Sequence, residues 1–284
     1  MLKGTSMSIN FEDEIRKIIN EELSGLIDHI NECFLCRCKN KKHNFLLGNF
    51  DDKVKANMVF VSCFESQIGN RIENICREIA KLRYGTKNVP QKISNVDTEF
   101  KLNAKKQYIQ TNIDYKFVTG QIFEKLDPNN KYSSQKVKTL FDDITITRKG
   151  NCKLLVDLAF YDENNELNIF ELKAGGMLDS SKAKSDLAKL LGLYITTDNP
   201  NTHVYFATIY NFNGEDNNWD GSPSRFFEND LLLIGKDFWN KILPNGVNFE
   251  KFVEIYNEIF EELEINKKMQ DLIDRIMEQV RHER

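Results

Sequence analysis

The segment from Lys153 to Lys173 constrains this chain more than any other part of it. Two apolar runs, Leu154-Leu155-Val156-Asp157-Leu158-Ala159-Phe160 and Ile169-Phe170-Glu171-Leu172-Lys173, flank a polar turn from Asp162 to Glu166. Such a pattern reads as two strands, Lys153 to Tyr161 and Leu167 to Lys173, joined as a hairpin. Each strand carries charge inside otherwise apolar sequence: Asp157 in the first, Glu171 and Lys173 in the second. Charged groups there are costly unless they are paired or hold a metal ion. Strand residues two apart project to one face, so Glu171 and Lys173 share a side.

Whether Asp157 joins them depends on register. A three-residue turn, Glu163-Asn164-Asn165, sets Asp157 opposite Glu171, whereas a two-residue turn at Asn164-Asn165 sets it opposite Leu172. The odd-length turn is the expected one, and it brings two carboxylates and an ammonium to one patch. That set suits phosphodiester hydrolysis. Asp157 and Glu171, with the backbone carbonyl of Leu172, are candidate ligands for Mg2+, a hard cation that prefers oxygen and keeps several waters. The ion would serve as Lewis acid and activate a bound water, and Lys173 would hold that water and the scissile phosphate together.

The elements around the hairpin follow an order. The short apolar run Met58 to Phe64 precedes a helix expected from Glu65 or Ser66 to about Tyr84, striped by Ile68, Ile72, Ile75, Ile79 and Leu82. Asp143 to Arg148 alternates as a strand, and Lys149-Gly150-Asn151 reads as a turn into the hairpin. Asp179 or Ser180 can cap a helix whose apolar face is Ala183, Leu187, Leu190, Leu191 and Tyr194. A buried-type strand, His203 to Tyr210, comes next. The order is helix, three meandering strands, helix, strand. Residues 1–30 read as an amphipathic helix followed by a basic, Cys-rich turn, and a long helical pattern returns from Phe249. Residues 85–135 carry no pattern that places elements.

The Asp157 … Glu171-Leu172-Lys173 set, with thirteen residues between Asp157 and Glu171, resembles the PD-(D/E)xK nuclease superfamily, with Val156 where the motif has proline. The αβββαβ order resembles that superfamily's core. The segments Glu171-Leu172-Lys173-Ala174-Gly175-Gly176, Asp179 to Ser185, Tyr205 to Thr208 and Leu232 to Trp239 are similar to type II restriction endonucleases of the TdeIII type, a likeness spanning roughly residues 60 to 245. The resemblance implies an α/β fold: a restriction-endonuclease-like core, a mixed sheet flanked by helices, with additional helical N- and C-terminal segments. It implies Mg2+-dependent double-strand cleavage of DNA at a short symmetric, G/C-rich site, leaving 5′-phosphates. A homodimer with one active site per strand and a cognate DNA methyltransferase are the implied partners.

Further residues have candidate roles. Such enzymes often add a carboxylate from the helix before the strands, and Glu73 is the candidate, sharing a face with Gly69, Cys76 and Ala80; Glu65 is the second choice. Lys182, Lys184 and Lys189 follow the Gly-Gly turn on a helix whose N-terminal end suits phosphate, so they are candidate DNA contacts. Lys149 and Arg225 are others, since arginine reads guanine edges by two hydrogen bonds. For each lysine or arginine, a solvated surface position is the competing reading.

Composition sets the outer bounds. With 284 residues and 40% hydrophobic content, the chain can bury a sizeable core in one domain with lobes: a helical, basic segment over 1–60, a catalytic core over 61–245, and a helical segment over 246–284. No leader and no apolar run of about 18 residues is evident, so a soluble, cytoplasmic protein with reduced cysteines is expected. The net charge of -4 argues against a uniformly basic nucleic-acid binder. Its distribution does not: seven Lys/Arg lie between Lys81 and Lys106 against two acids, whereas residues 249–284 carry ten acids and six bases. Cys33, Cys36, Cys38 and His43 fall within eleven residues and lack the two separated pairs of a structural zinc site, so they read as chance clustering. A structure-specific repair nuclease and an inert DNA-binding protein, with the three charges as a structural ion-pair network, are the alternatives to a site-specific nuclease.

Overall fold

A computed structural model describes residues 10–41, 46, 50–94, 103, 106–127, 129–133, 149–175, 178–197, 199 and 201–282. In chain order the elements are α1 (Phe11–Ser24), α2 (Leu26–Lys41), α3 (Asp52–Tyr84), β1 (Lys92–Ser94), β2 (Gln107–Ile113), α4 (Tyr115–Lys125), β3 (Lys149–Val156), β4 (Leu158–Tyr161), β5 (Leu167–Lys173), α5 (Ser180–Thr196), β6 (Thr202–Thr208), β7 (Leu232–Ile234), α6 (Lys236–Ile242), α7 (Phe249–Glu262) and α8 (Ile265–His282). They form two compact units, one of residues 1–78 and 247–284, the other of residues 79–246.

The first unit is helical. The Asn10 side chain caps α1 by accepting from the Glu12 amide, and Ile15, Ile19 and Leu23 recur at helical spacing on its buried face. They pack with α7, which buries Phe252, Ile255 and Ile259. Arg16 ties the pair together by ion pairs to Glu258 and Glu262. The helix expected over residues 1–30 is in fact two, separated at Gly25. The Arg71 guanidinium sits against that glycine, donating to its carbonyl at 3.1 Å and to Glu22 at 3.1 Å. The expected Cys-rich turn is part of α2, and the run Met58 to Phe64 is part of α3, where Ala56, Val59 and Cys63 face inward at helical spacing. The helix ends at Tyr84 as the pattern predicts, before Gly85 at φ 85°. The C-terminal helix is likewise two, turned at Leu263 and Glu264, the latter at φ 51°.

The second unit is a mixed α/β structure. One sheet has the order β1-β2-β3, the other β4-β5-β6-β7. Strands β2 and β3 are antiparallel, as are β4 and β5, whereas β5, β6 and β7 run parallel. The expected strand Lys153 to Tyr161 is present but changes partner at Asp157: Val156 pairs with Gln107 of β2, and Leu158 pairs with Phe170 of β5. The Gln107 side chain bridges the break. Its amide nitrogen donates to the Ala159 carbonyl at 2.8 Å, and its oxygen accepts from the Ala159 amide at 3.0 Å. A side chain thereby continues the ladder where the backbone leaves it.

Helix α5 covers the sheet. Asp179 caps it, accepting from the Lys182 amide, and Ala183, Leu187, Leu190 and Leu191 are fully buried with Ile169, Val204 and Phe206. Helix α4 packs closely on α5. The sequence reading placed α5, β4 and β5 well. It took Lys149 to Asn151 for a turn, but β3 begins there, because Ile113 of β2 pairs with Lys149. The expected strand Asp143 to Arg148 lies outside the described residues. Among the described residues β3 pairs antiparallel with β2, from the stretch that showed no pattern.

Candidate active site

The hairpin turn decides the site. Asp162 donates its amide to the Glu166 carbonyl at 3.0 Å, and Asn165 donates to the Asp162 carbonyl at 2.9 Å. The turn is therefore the three-residue one, with Asn165 at φ 59° in the left-handed region that asparagine tolerates. The ladder runs Tyr161↔Leu167, Phe160↔Asn168, Ala159↔Ile169 and Leu158↔Phe170. Its next step sets Asp157 opposite Glu171, the register expected of the odd-length turn. Standing at the break, Asp157 is not held to a regular ladder, and its Oδ2 accepts from the Leu172 amide at 2.8 Å.

Glu171 is 5% exposed. Lys173 Nζ lies 2.6 Å from Glu171 Oε1, and Lys189 of α5 ion-pairs with Oε2. Lys173 Nζ is also 3.6 Å from Asp186 Oδ2, and Lys182 Nζ is 3.0 Å from Asp186 Oδ1. Three carboxylates and three ammonium groups thus share one place between the hairpin and α5. Burial alone pushes the Glu171 carboxyl up, but Lys189 and then Lys173 outweigh it, and the net shift is downward. Burial disfavours the charge on Lys173 and Lys189, yet Glu171, with Asp157 and Asp186 adding to it, holds both ammonium groups above their ordinary value.

The end of β5 is fastened from a loop that follows β6. The Ile209 amide donates to the carbonyls of Lys173 at 3.0 Å and Ala174 at 2.8 Å. Trp219 Nε1 donates to the Gly175 carbonyl at 3.2 Å, and the Tyr210 ring lies so close that a Cβ on Gly175 would come within 2.8 Å of it. A side chain at Gly175 would have to push the half-exposed Tyr210 ring aside, so glycine here serves close approach rather than its dihedral angles.

The donor set fits Mg2+. Among the described residues no three His, Cys, Asp or Glu form an all-protein metal cluster. Mg2+ usually takes one or two carboxylates and keeps its waters, which Asp157 and Glu171 would provide on adjacent strands. A family model of the type II restriction endonuclease HinfI matches residues 7–260. The chain belongs to this family. It is therefore a site-specific deoxyribonuclease, and the α/β core is of the restriction-endonuclease-like kind. The structure-specific and inert alternatives give way to that assignment. No curated protein matches the chain.

Against the HinfI-family assignment, the candidate residues distribute as follows. Asp157, Glu171, Leu172 and Lys173 lie together on the hairpin, and Lys182 and Lys189 face the same cluster through Asp186 and Glu171. Lys184 points elsewhere, its ammonium 4.5 Å from the centre of the Phe123 ring. Arg225 is exposed on a short 3-10 turn, Ser222–Arg225. Lys149 opens β3, but its side chain lies outside the described residues, as do Arg148 and His43. Glu73 is half-buried on α3 within the first unit, one turn from the buried Cys76. No helix is long and apolar enough to cross a membrane among the described residues.

Asp186 is the member of the cluster that the sequence reading missed. Its signal was present: an acid three residues after Ala183 and four before Leu190 lies on the apolar face of the helix, with Lys182 and Lys189 a turn to either side.

Proposed function

We propose that this HinfI-family endonuclease is Mg2+-dependent and works through a PD-(D/E)xK site made of Asp157, Glu171 and Lys173. The observation that supports it most is the hairpin register, whose last pair, Leu158↔Phe170, is one step short of Asp157 and Glu171, with Lys173 two residues beyond Glu171. Asp157, Glu171 and the Leu172 carbonyl would hold the ion, which would supply Lewis acidity and lower the pKa of water. Lys173 would donate hydrogen bonds to the attacking water and to the scissile phosphate, fixing attack in line with the leaving oxygen. Lys189, which holds Glu171 when no ion does, turns its charge toward the phosphate. Lys182 stands at the first turn of α5, where unpaired amides and the helix dipole also favour phosphate. Cleavage leaves a 5′-phosphate and a 3′-hydroxyl.

A symmetric recognition site is served by a two-fold homodimer carrying one active site per strand. In a host cell the enzyme acts in the cytoplasm beside a DNA methyltransferase that protects the host's own sites. The TdeIII-like segments carry the further reading of a short, G/C-rich site. The test is incubation of the purified protein with unmethylated phage DNA and Mg2+, beside EDTA and Asp157→Ala controls. Discrete bands only with active protein and metal support the reading, and mapping the ends gives the site, its base composition and the 5′-phosphate. Cleavage that persists in EDTA, or in Asp157→Ala, refutes it.

A further inference from the structure

The structure assigns Asp186 a positioning role: it is the anion that keeps Lys173 in place when Glu171 turns to the metal. This rests on the metal-dependent reading above. Asp186 is 1% exposed on the apolar face of α5, a position that packing alone would give to alanine or leucine. A buried carboxylate costs several kcal/mol unless it is paired on every side. Asp186 is hydrogen-bonded on one side only. Its Oδ1 faces Lys182 at 3.0 Å, while its Oδ2 is buried without a hydrogen bond. The Lys173 ammonium forms an ion pair with that oxygen at 3.6 Å, just beyond hydrogen-bonding distance.

Lys173 thus stands between two anions, with Glu171 at 2.6 Å and Asp186 at 3.6 Å. In the metal-free protein Glu171 holds it. A carboxylate that gives charge to a divalent cation holds an ammonium less strongly, and the cation repels that ammonium as well. With Glu171 as sole partner, Lys173 would swing to solvent when it is needed. Asp186 is anchored on a packed helix and holds an oxygen that has no hydrogen bond 3.6 Å from the same nitrogen. A shift of under one ångström closes that contact. Lys173 then keeps one N–H on Asp186 and has two for water and phosphate. Lys189 has no such close second hold: among the described residues its ion pair is with Glu171, and Asp157 and Asp186 act on it from farther away.

The test uses the full-length protein and lysine acylation by an N-hydroxysuccinimide acetate reagent, read by mass spectrometry with and without Ca2+. In the wild type, Ca2+ should raise labelling of Lys189 and leave Lys173 protected. In Asp186→Asn, Ca2+ should expose Lys173 several-fold. Single-turnover cleavage in Mg2+ should fall on the order of 10²-fold, with DNA affinity in Ca2+ unchanged and with partial recovery in Asp186→Glu. Lys173 becoming as reactive as Lys189 in Ca2+-loaded wild type overturns the proposal without recourse to any variant. So does an Asp186→Asn enzyme that cleaves within twofold of wild type. If Ca2+ alters neither lysine and Mg2+ supports no cleavage, the metal-dependent reading itself has failed, and the exchange of partners fails with it.

Discussion

Replacing Lys189 by methionine should weaken the metal-free protein and tighten its hold on a divalent ion. Lys189 and Lys173 divide the two oxygens of Glu171 between them. Methionine keeps the length of the lysine stem and removes only the charge, so the packing of α5 changes little. A charge-assisted hydrogen bond contributes about 1.5–3 kcal/mol. The Lys189 side chain is 34% exposed, and solvent screening reduces the loss to roughly 1 kcal/mol. For a protein of this size that lowers the melting temperature by about 2–4 °C. Yet the ion must take Glu171 from its lysines before it can bind. Removing one competitor worth about 1 kcal/mol should tighten Ca2+ binding about fivefold. Calorimetric titration of Ca2+ alongside thermal unfolding reads both effects. The two signs are opposite, which makes the reasoning easy to refute: Ca2+ affinity that is unchanged or weaker in Lys189→Met would show that Lys189 does not compete for Glu171.

Acid sensitivity offers a second check. Glu171 titrates below its ordinary value in the folded protein, so its stabilising contribution is full above the unfolded value of about 4.3 and is lost as pH falls through the lower folded value. Lys173 and Lys189 are shifted upward, so theirs is full below about 10.4 and is lost as pH rises through the higher folded values. Metal-free urea midpoints should fall at acid pH less steeply in Glu171→Gln than in wild type, and parallel acid limbs would contradict the assignment. At the fastening of β5, Gly175→Ala should destabilise by about 1–3 kcal/mol, and Tyr210→Ala should restore part of that in a double-mutant cycle; additive effects would mean that the two do not meet. In the hairpin turn, Asn165→Val should cost about 1–2 kcal/mol for its left-handed conformation and Asn165→Gly almost nothing, as thermal melts would show.

The hairpin was legible in the sequence because its constraints are local. Apolar runs, a polar turn of odd length and three charges at fixed offsets leave one register that gathers them, and that register is present. Helix α5 was legible for the same reason, from the Asp179 cap and its apolar stripe. What escaped depends on partners distant in sequence. Strand β2 is defined by pairing with β3 some forty residues on, and nothing in Gln107 to Ile113 announces it. Gln107 looks like an ordinary polar residue until Ala159 is placed beside it. The run Met58 to Phe64 alone does not distinguish strand from helix, and the helical reading follows from Ala56, Val59 and Cys63 facing a core built by other helices. In the site, Asp186 went unnoticed because a lysine-flanked acid on a helix usually faces water. Only burial to 1% exposure gives it another meaning.

The change of partners at Asp157 reverses a common rule of protein engineering. In a regular ladder every side chain is held perpendicular to the sheet, and a more regular strand is a more stable one. Here the side chain at the seam reaches sideways to the Leu172 amide, a direction that an unbroken ladder denies it. Substitutions around Val156 and Leu158 that smooth the strand and let β3 and β4 share one continuous neighbour would strengthen the sheet and turn the carboxylate away from the Leu172 amide. The discontinuity is where the sheet gives up order to aim a carboxylate, the proposed metal ligand, so in this strand gains in heat resistance and losses in cleavage should arise from the same mutations.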